Sequence, residues 1–140
     1  MTAVTVTNEQ LLAAAIGLIG AKSTNALASV KLAKLRRAVE AETSLLRSAI
    51  DETAQLHAIR EDGKPLVLKN DAGNELVLLS SRTPAYAMEP EAAAAFRAEL
   101  APLLAEPVTL TIAPLTETDL ASIELRDDHG ASLLPFSVLA

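Results

Sequence analysis

The chain alternates between stretches with the period of a strand and stretches with the period of a helix. Val4 to Val6 is a β-branched run that predicts a short strand. Thr7-Asn8-Glu9-Gln10 follows, with Thr7 placed to accept from a first-turn amide and Gln10 placed to reach back, a capping box. The apolar run after it predicts a helix to about Ile19, ended by Gly20 in the left-handed conformation. Lys22 to Asn25 reads as a connection, with Asn25 as the N-cap of a second helix. From Ala26 to about Asp62 there is neither Gly nor Pro, and the stretch is rich in strong helix formers. Gly63 and then Pro65 close it. Leu32, Leu35, Val39, Leu46, Ala49 and Leu56 form an apolar stripe of heptad character, interrupted by Glu42 and Thr53. About 37 residues at ~1.5 Å each make a helix ~55 Å long. A single compact domain of this size has a radius of gyration near ~14 Å. Such a helix must kink, protrude or be covered by another chain.

The second half is mixed. Leu66-Val67-Leu68 and Leu76-Val77-Leu78-Leu79 flank the turn-forming Asn70-Asp71-Ala72-Gly73-Asn74 and predict a β-hairpin, apolar on both faces. Pro90 opens a third helix to about Leu104, in which Pro102 should introduce a kink or a break. Val108 to Ile112 alternates with threonine and predicts a half-buried strand. Thr116 and Asp119 cap a one-turn helix, Ile123 to Leu125 reads as a short strand, and Asp127-Asp128-His129-Gly130 as a turn. The tail Leu133 to Leu139 is largely apolar and should be tied down against a core or a neighbour. The expected fold is therefore α+β: a long helix packed with a shorter N-terminal helix, a small antiparallel sheet made of the hairpin and a third strand, and a C-terminal helix. At 140 residues it should be one domain, helical over 1–62 and α+β over 64–140.

Composition narrows the function classes. Half the residues are hydrophobic, yet only Tyr86, Phe96 and Phe136 are aromatic. That counts against an aromatic-lined cofactor pocket and against single-stranded nucleic-acid binding, which stacks bases on rings. There is no cysteine, hence no disulfide, thiolate nucleophile or Cys-ligated zinc. Glu9 is the only charged residue among the first ten, a pattern unlike a secretory leader, and the apolar run Leu11 to Ala21 is shorter than the ~20 residues of a membrane span. The net charge is −6, but Lys22, Lys31, Lys34, Arg36 and Arg37 form a basic segment without an acid among them. A nucleic-acid footprint would look like this locally. The overall acidity favours instead a solvated face or one that meets acidic side chains.

Candidate chemistry is sparse. The five glycines are scattered, and neither a phosphate-cradling loop nor a Gly-x-Ser-x-Gly elbow occurs. His57 falls near the end of the long helix, where a cation suits the helix dipole. Asp127, Asp128 and His129 have a metal-like composition but are adjacent in sequence, as turn formers are. No catalytic residue, metal ligand or cofactor site is expected, and the chain does not read as an enzyme.

Several segments together resemble a known family. They are Val30-Lys31-Leu32-Ala33-Lys34-Leu35 leading into the long helix, Glu61-Asp62-Gly63-Lys64 before the hairpin, Phe96-Arg97-Ala98-Glu99-Leu100, the strand Val108 to Ile112, and the ending Leu133-Leu134-Pro135-Phe136. Over roughly Asn25 to Leu139 the order is similar to that of small tailed-bacteriophage proteins of unknown function, whose genes sit among late virion or tail genes. Pro102 and the alanine-rich first helix depart from that pattern. The resemblance implies a virion or tail-assembly accessory protein acting in the host cytoplasm during assembly or in the particle, and carries over no catalytic residue. The residues themselves point to a protein-interaction module that self-associates or binds other structural proteins, rather than nucleic acid or membrane. The expected contacts are Leu32, Leu35, Val39, Leu46 and Leu56 of the stripe, Lys31, Lys34, Arg36 and Arg37 of the basic segment, and Leu134, Phe136 and Leu139 of the tail. The competing expectation is an inhibitor of a host enzyme or defence system.

Overall fold

In the computed structural model the described residues are 2–78, 81–124 and 136. The fold is α+β, and it divides into two units: residues 1–43 with 106–140, and residues 44–105. This division does not coincide with a helical half and a mixed half meeting near residue 63.

The first unit begins with β1 (Thr2–Thr7) and α1 (Asn8–Gly17). The Thr7 hydroxyl accepts from the Gln10 amide at 3.2 Å, and the Gln10 side chain accepts from the Thr7 amide at 2.9 Å. Gly20 turns the chain at φ 71°. Lys22–Ser23 then forms a short strand, β2, where a plain connection was expected. Asn25 Oδ1 caps α2 (Ala26–His57) by accepting from the amides of Leu27 and Ala28. Residues 26–43 of α2 belong to this unit and residues 44–57 to the second.

The second unit continues with β3 (Arg60–Glu61) and β4 (Lys64–Pro65). α2 thus ends five residues before Asp62, after 32 residues, or ~48 Å at ~1.5 Å per residue. The reason is tertiary. The Ile59 amide donates to Ala87 O, and Arg60 and Glu61 pair with Pro65 and Lys64 around Asp62 and Gly63, which sit at φ 54° and 78°. The expected hairpin is present but does not stand alone. Leu76 N donates to Leu68 O, Leu68 N to Ala85 O, and Ala85 N to Leu76 O, a closed ring of hydrogen bonds. A second ring joins Ile59, Leu66 and Ala87 in the same way. Three short segments thereby satisfy one another's backbone groups without a regular sheet. α3 (Pro90–Ala105) starts at Pro90 as expected and stays a single helix through Pro102. Pro102 lies in its last turn, so the helix loses its amide only where it is about to end.

The chain then returns to the first unit. β5 (Pro107–Ile112) pairs antiparallel with β1, Thr2 opposite Ile112 and Val6 opposite Val108. The third strand therefore joins the N-terminal strand, in a two-stranded sheet of its own, and not the hairpin. α4 (Glu117–Ser122) carries the Thr116–Asp119 capping box, and β6 (Ile123–Glu124) pairs with β2. The core of this unit joins Val6, Leu11, Ala14 and Leu18 to Leu32, Leu35 and Val39 and to Leu110, Ile112, Leu115 and Phe136. The Leu115 amide donates to Phe136 O at 3.0 Å. The expected turn at Asp127–Gly130 lies outside the described residues.

Candidate functional site

α2 carries most of the residues expected to bind a partner, and its burial pattern reassigns them. The buried positions are Ala28, Leu32, Leu35, Val39, Thr43, Leu46, Ile50 and Ala54. Their spacing of four, three, four, four, three, four and four follows an eleven-residue repeat, not a heptad. Extending the stripe by sevens drifts off that face, which is why Ala49 is exposed and Leu56 is 80% exposed. Thr43 stays on the face because its hydroxyl donates to Val39 O at 2.8 Å, leaving no unpaired polar atom. Leu32, Leu35 and Val39 pack inside the first unit, and Leu46 is buried in the second. Their apolar surface is already covered by this chain, so they are not the free contact surface expected of them.

The basic segment divides in the same manner. Lys31 Nζ donates to Asp119 Oδ2 at 2.6 Å, with both side chains mostly buried. Lys31 and the Thr116 amide hold the Asp119 carboxyl below its usual range against the opposing effect of burial. Arg36 donates to the carbonyls of Leu18 and Ala21 at 3.2 and 3.0 Å, completing the C-terminal end of α1. Lys31 and Arg36 are therefore internal fasteners. Lys34 and Arg37 are exposed and, among the described residues, form no ion pair. With Ala38, Ala41, Thr111, Ile112 and Ala113 they line a groove of about 300 Å³ in the first unit. Of the tail residues, Phe136 is fully buried, while Leu134 and Leu139 lie outside the described residues.

The exposed apolar positions are largely ones that heptad counting passed over. In the first unit Leu27 is 63% and Val30 51% exposed. In the second, Leu45 is 74% exposed and shares with Leu56 a face of α2, eleven residues or about three turns apart. The signal was available: Leu27 and Ala38, Val30 and Ala41, and Leu45 and Leu56 each recur at the interval that the buried stripe obeys. The hairpin of the second unit adds Leu68, Leu76 and Val77, all partly open to solvent.

The second unit also has an apolar hollow of about 450 Å³, walled by Leu68, Leu78, Met88 and Phe96 with Arg97 beside them. Near Phe96, His57 sits 3.2 Å from Glu99, its ring centroid 6.2 Å from that of Phe96. Tyr86 donates to Asp51 at 2.7 Å. Burial, and then this bond to a carboxylate, push its hydroxyl up to about 12. These are pairs that fix side chains. Among the described residues no group of three His, Cys, Asp or Glu could hold a metal ion. No described helix is long and apolar enough to cross a membrane. Comparison with protein-family models, with curated proteins and with solved structures gives no match.

Proposed function

We propose that the chain is a non-enzymatic protein-interaction module that self-associates, serving as an accessory component of a bacteriophage virion or its tail assembly. The observation that supports it best is the exposure of Leu45 and Leu56 on one face of α2; Leu68, Leu76 and Val77 of the same unit are exposed as well. Scattered exposed leucines are ordinary on a monomer, but Leu45 and Leu56 recur in phase on a helix that already buries a separate stripe, which supports a surface that a partner covers. Charge does not oppose association locally, because Glu52 is the single charged residue between Leu45 and Leu56 on that face. The virion assignment rests on the segment order described above, and the self-association on the exposed face. Replacing Leu45 and Leu56 together by Gln should leave the fold intact, since neither is packed, and should lower the sedimentation coefficient toward that of the monomer. An unchanged oligomer would remove this face from the reading. Detection of the chain at fixed stoichiometry in purified particles, or its absence from them, decides the virion part.

A further inference from the structure

The hollow of about 450 Å³ in the second unit gathers the side chains that this sequence uses most sparingly. The chain has three aromatic residues and two methionines, and Tyr86, Phe96 and Met88 all line it. Leu68 and Leu78 of the hairpin and Leu100 of α3 extend the same apolar wall. Leu68 is 42% exposed, and Leu78, Met88 and Leu100 are half-buried, so each has apolar surface left to cover. The polar groups along the wall are already committed. The Leu68 amide donates to Ala85 O, the Ala85 amide to Leu76 O, and the Tyr86 hydroxyl to Asp51. An alkyl chain, which brings no polar backbone to be paired, suits such a wall better than a peptide does. Charge is supplied at one point. Arg97 is the only charged residue of the described lining, it is exposed, and among the described residues it forms no ion pair. Two acids of the same unit are engaged: Asp51 accepts from Tyr86 and Gln55, and Glu99 is hydrogen-bonded to His57. The charge that the hollow offers a ligand is therefore positive.

We propose that this hollow binds an amphiphilic carboxylate, with an alkyl chain of medium length lying along the apolar wall and the acid group on Arg97. The volume falls within the roughly 300–1,000 Å³ of small-molecule sites. The lining has their composition too, aliphatic and aromatic with one polar group to fix orientation. Met88 lets the wall adapt to a flexible chain. The guanidinium matches a carboxylate with two parallel N–H donors. The site lies wholly within the second unit and does not depend on the self-association proposed above.

Tyrosine fluorescence of the full chain tests this, because Tyr86 is the only tyrosine, there is no tryptophan, and Tyr86 lines the hollow. Decanoate, titrated below its micelle concentration, should change the emission saturably. From hexanoate to octanoate to decanoate the affinity should rise about tenfold per step, as each step buries two more methylenes. Decyltrimethylammonium, with the same chain and the opposite charge, should bind more weakly than decanoate. Arg97→Gln should weaken decanoate binding about three- to fivefold and remove its advantage over the cation. Ala93→Phe, which fills the hollow from α3, should abolish the response while circular dichroism stays unchanged. The absence of a saturable response to decanoate overturns the proposal. So does a response that survives Ala93→Phe, since the acid then binds elsewhere, and so does a preference for the anion that survives Arg97→Gln. If Ala93→Phe fails to fold, the Arg97→Gln comparison decides alone. The oligomeric state enters none of these readouts, so failure here leaves the self-association reading standing.

Discussion

Replacing Lys31 by Met tests the contact that ties α2 to α4 within the first unit. Met keeps most of the aliphatic stem and removes the ammonium. Asp119 is left buried, still accepting from the Thr116 amide at 2.9 Å but without its charge partner. A hydrogen bond to a charged group contributes about 1.5–3 kcal/mol, and stranding a buried charge costs more than the pair had contributed. Because Lys31 is 18% exposed, water at its position can partly solvate the carboxylate, so a loss of about 2 kcal/mol is expected. Urea denaturation at neutral pH measures it. The pH dependence gives a second readout. Asp119 is held below 3.8 in the folded chain, mainly by Lys31. Its contribution is therefore complete above the unfolded value and is lost as pH falls through the folded one. In Lys31→Met the gap between the two values narrows, so the acid-induced loss should shrink by a similar amount. A stability change under about 0.5 kcal/mol, with the acid limb unaltered, would show that the pair contributes nothing.

Phe136→Ala should cost about 3–5 kcal/mol in the same assay, because the ring is fully buried in the core of the first unit; a change within about 0.5 kcal/mol would contradict that placement. Tyr86 is the only tyrosine, so its ionisation can be followed by ultraviolet absorbance without overlap. Its folded value of about 12 lies above the ordinary tyrosine value of 10.0, so the stability it lends is complete below 10.0 and is lost as pH rises through about 12. Asp51→Asn should move the midpoint down, since it removes a carboxylate that opposes ionisation, and an unmoved midpoint would argue against the Tyr86–Asp51 bond.

What the sequence made legible is local. Thr7 with Gln10, Asn25, and Thr116 with Asp119 cap their helices as their spacing requires, and Pro90 marks a start; Gly20 takes its left-handed conformation in the turn after α1, which ends at Gly17 rather than near Ile19. Each of these motifs closes within a few residues, so no distant partner has to be known. The misses depend on distant partners. β1 and β5 are about a hundred residues apart in sequence, and nothing in Val4 to Val6 names Val108 to Ile112 as its mate. Lys31 meets Asp119 across 88 residues, which turned an expected surface cation into an internal one. The end of α2 was placed too late because residues 58–62 have no helix breaker; the bond from Ile59 to Ala87 stops the helix from outside. The segment around Ala85 carries no strand signal in the sequence, because it contains Pro84 and pairs only through alternate residues. The stripe on α2 was legible in part. Its first four members, Leu32, Leu35, Val39 and Leu46, are right, and a period of 3.5 in place of 3.67 put Ala49 and Leu56 on the wrong face. That so long a helix must kink, protrude or be covered by another chain also assumed a single compact body, whereas each unit buries its own stretch of α2.

Self-association, the core of the proposed function, means that the chain does not remain alone in solution. Light scattering on the purified chain, coupled to size exclusion and run over a range of micromolar concentrations, measures this most directly. A self-associating chain should show a mass at least twice 14.7 kDa that falls on dilution. A single species at 14.7 kDa throughout the range would contradict it.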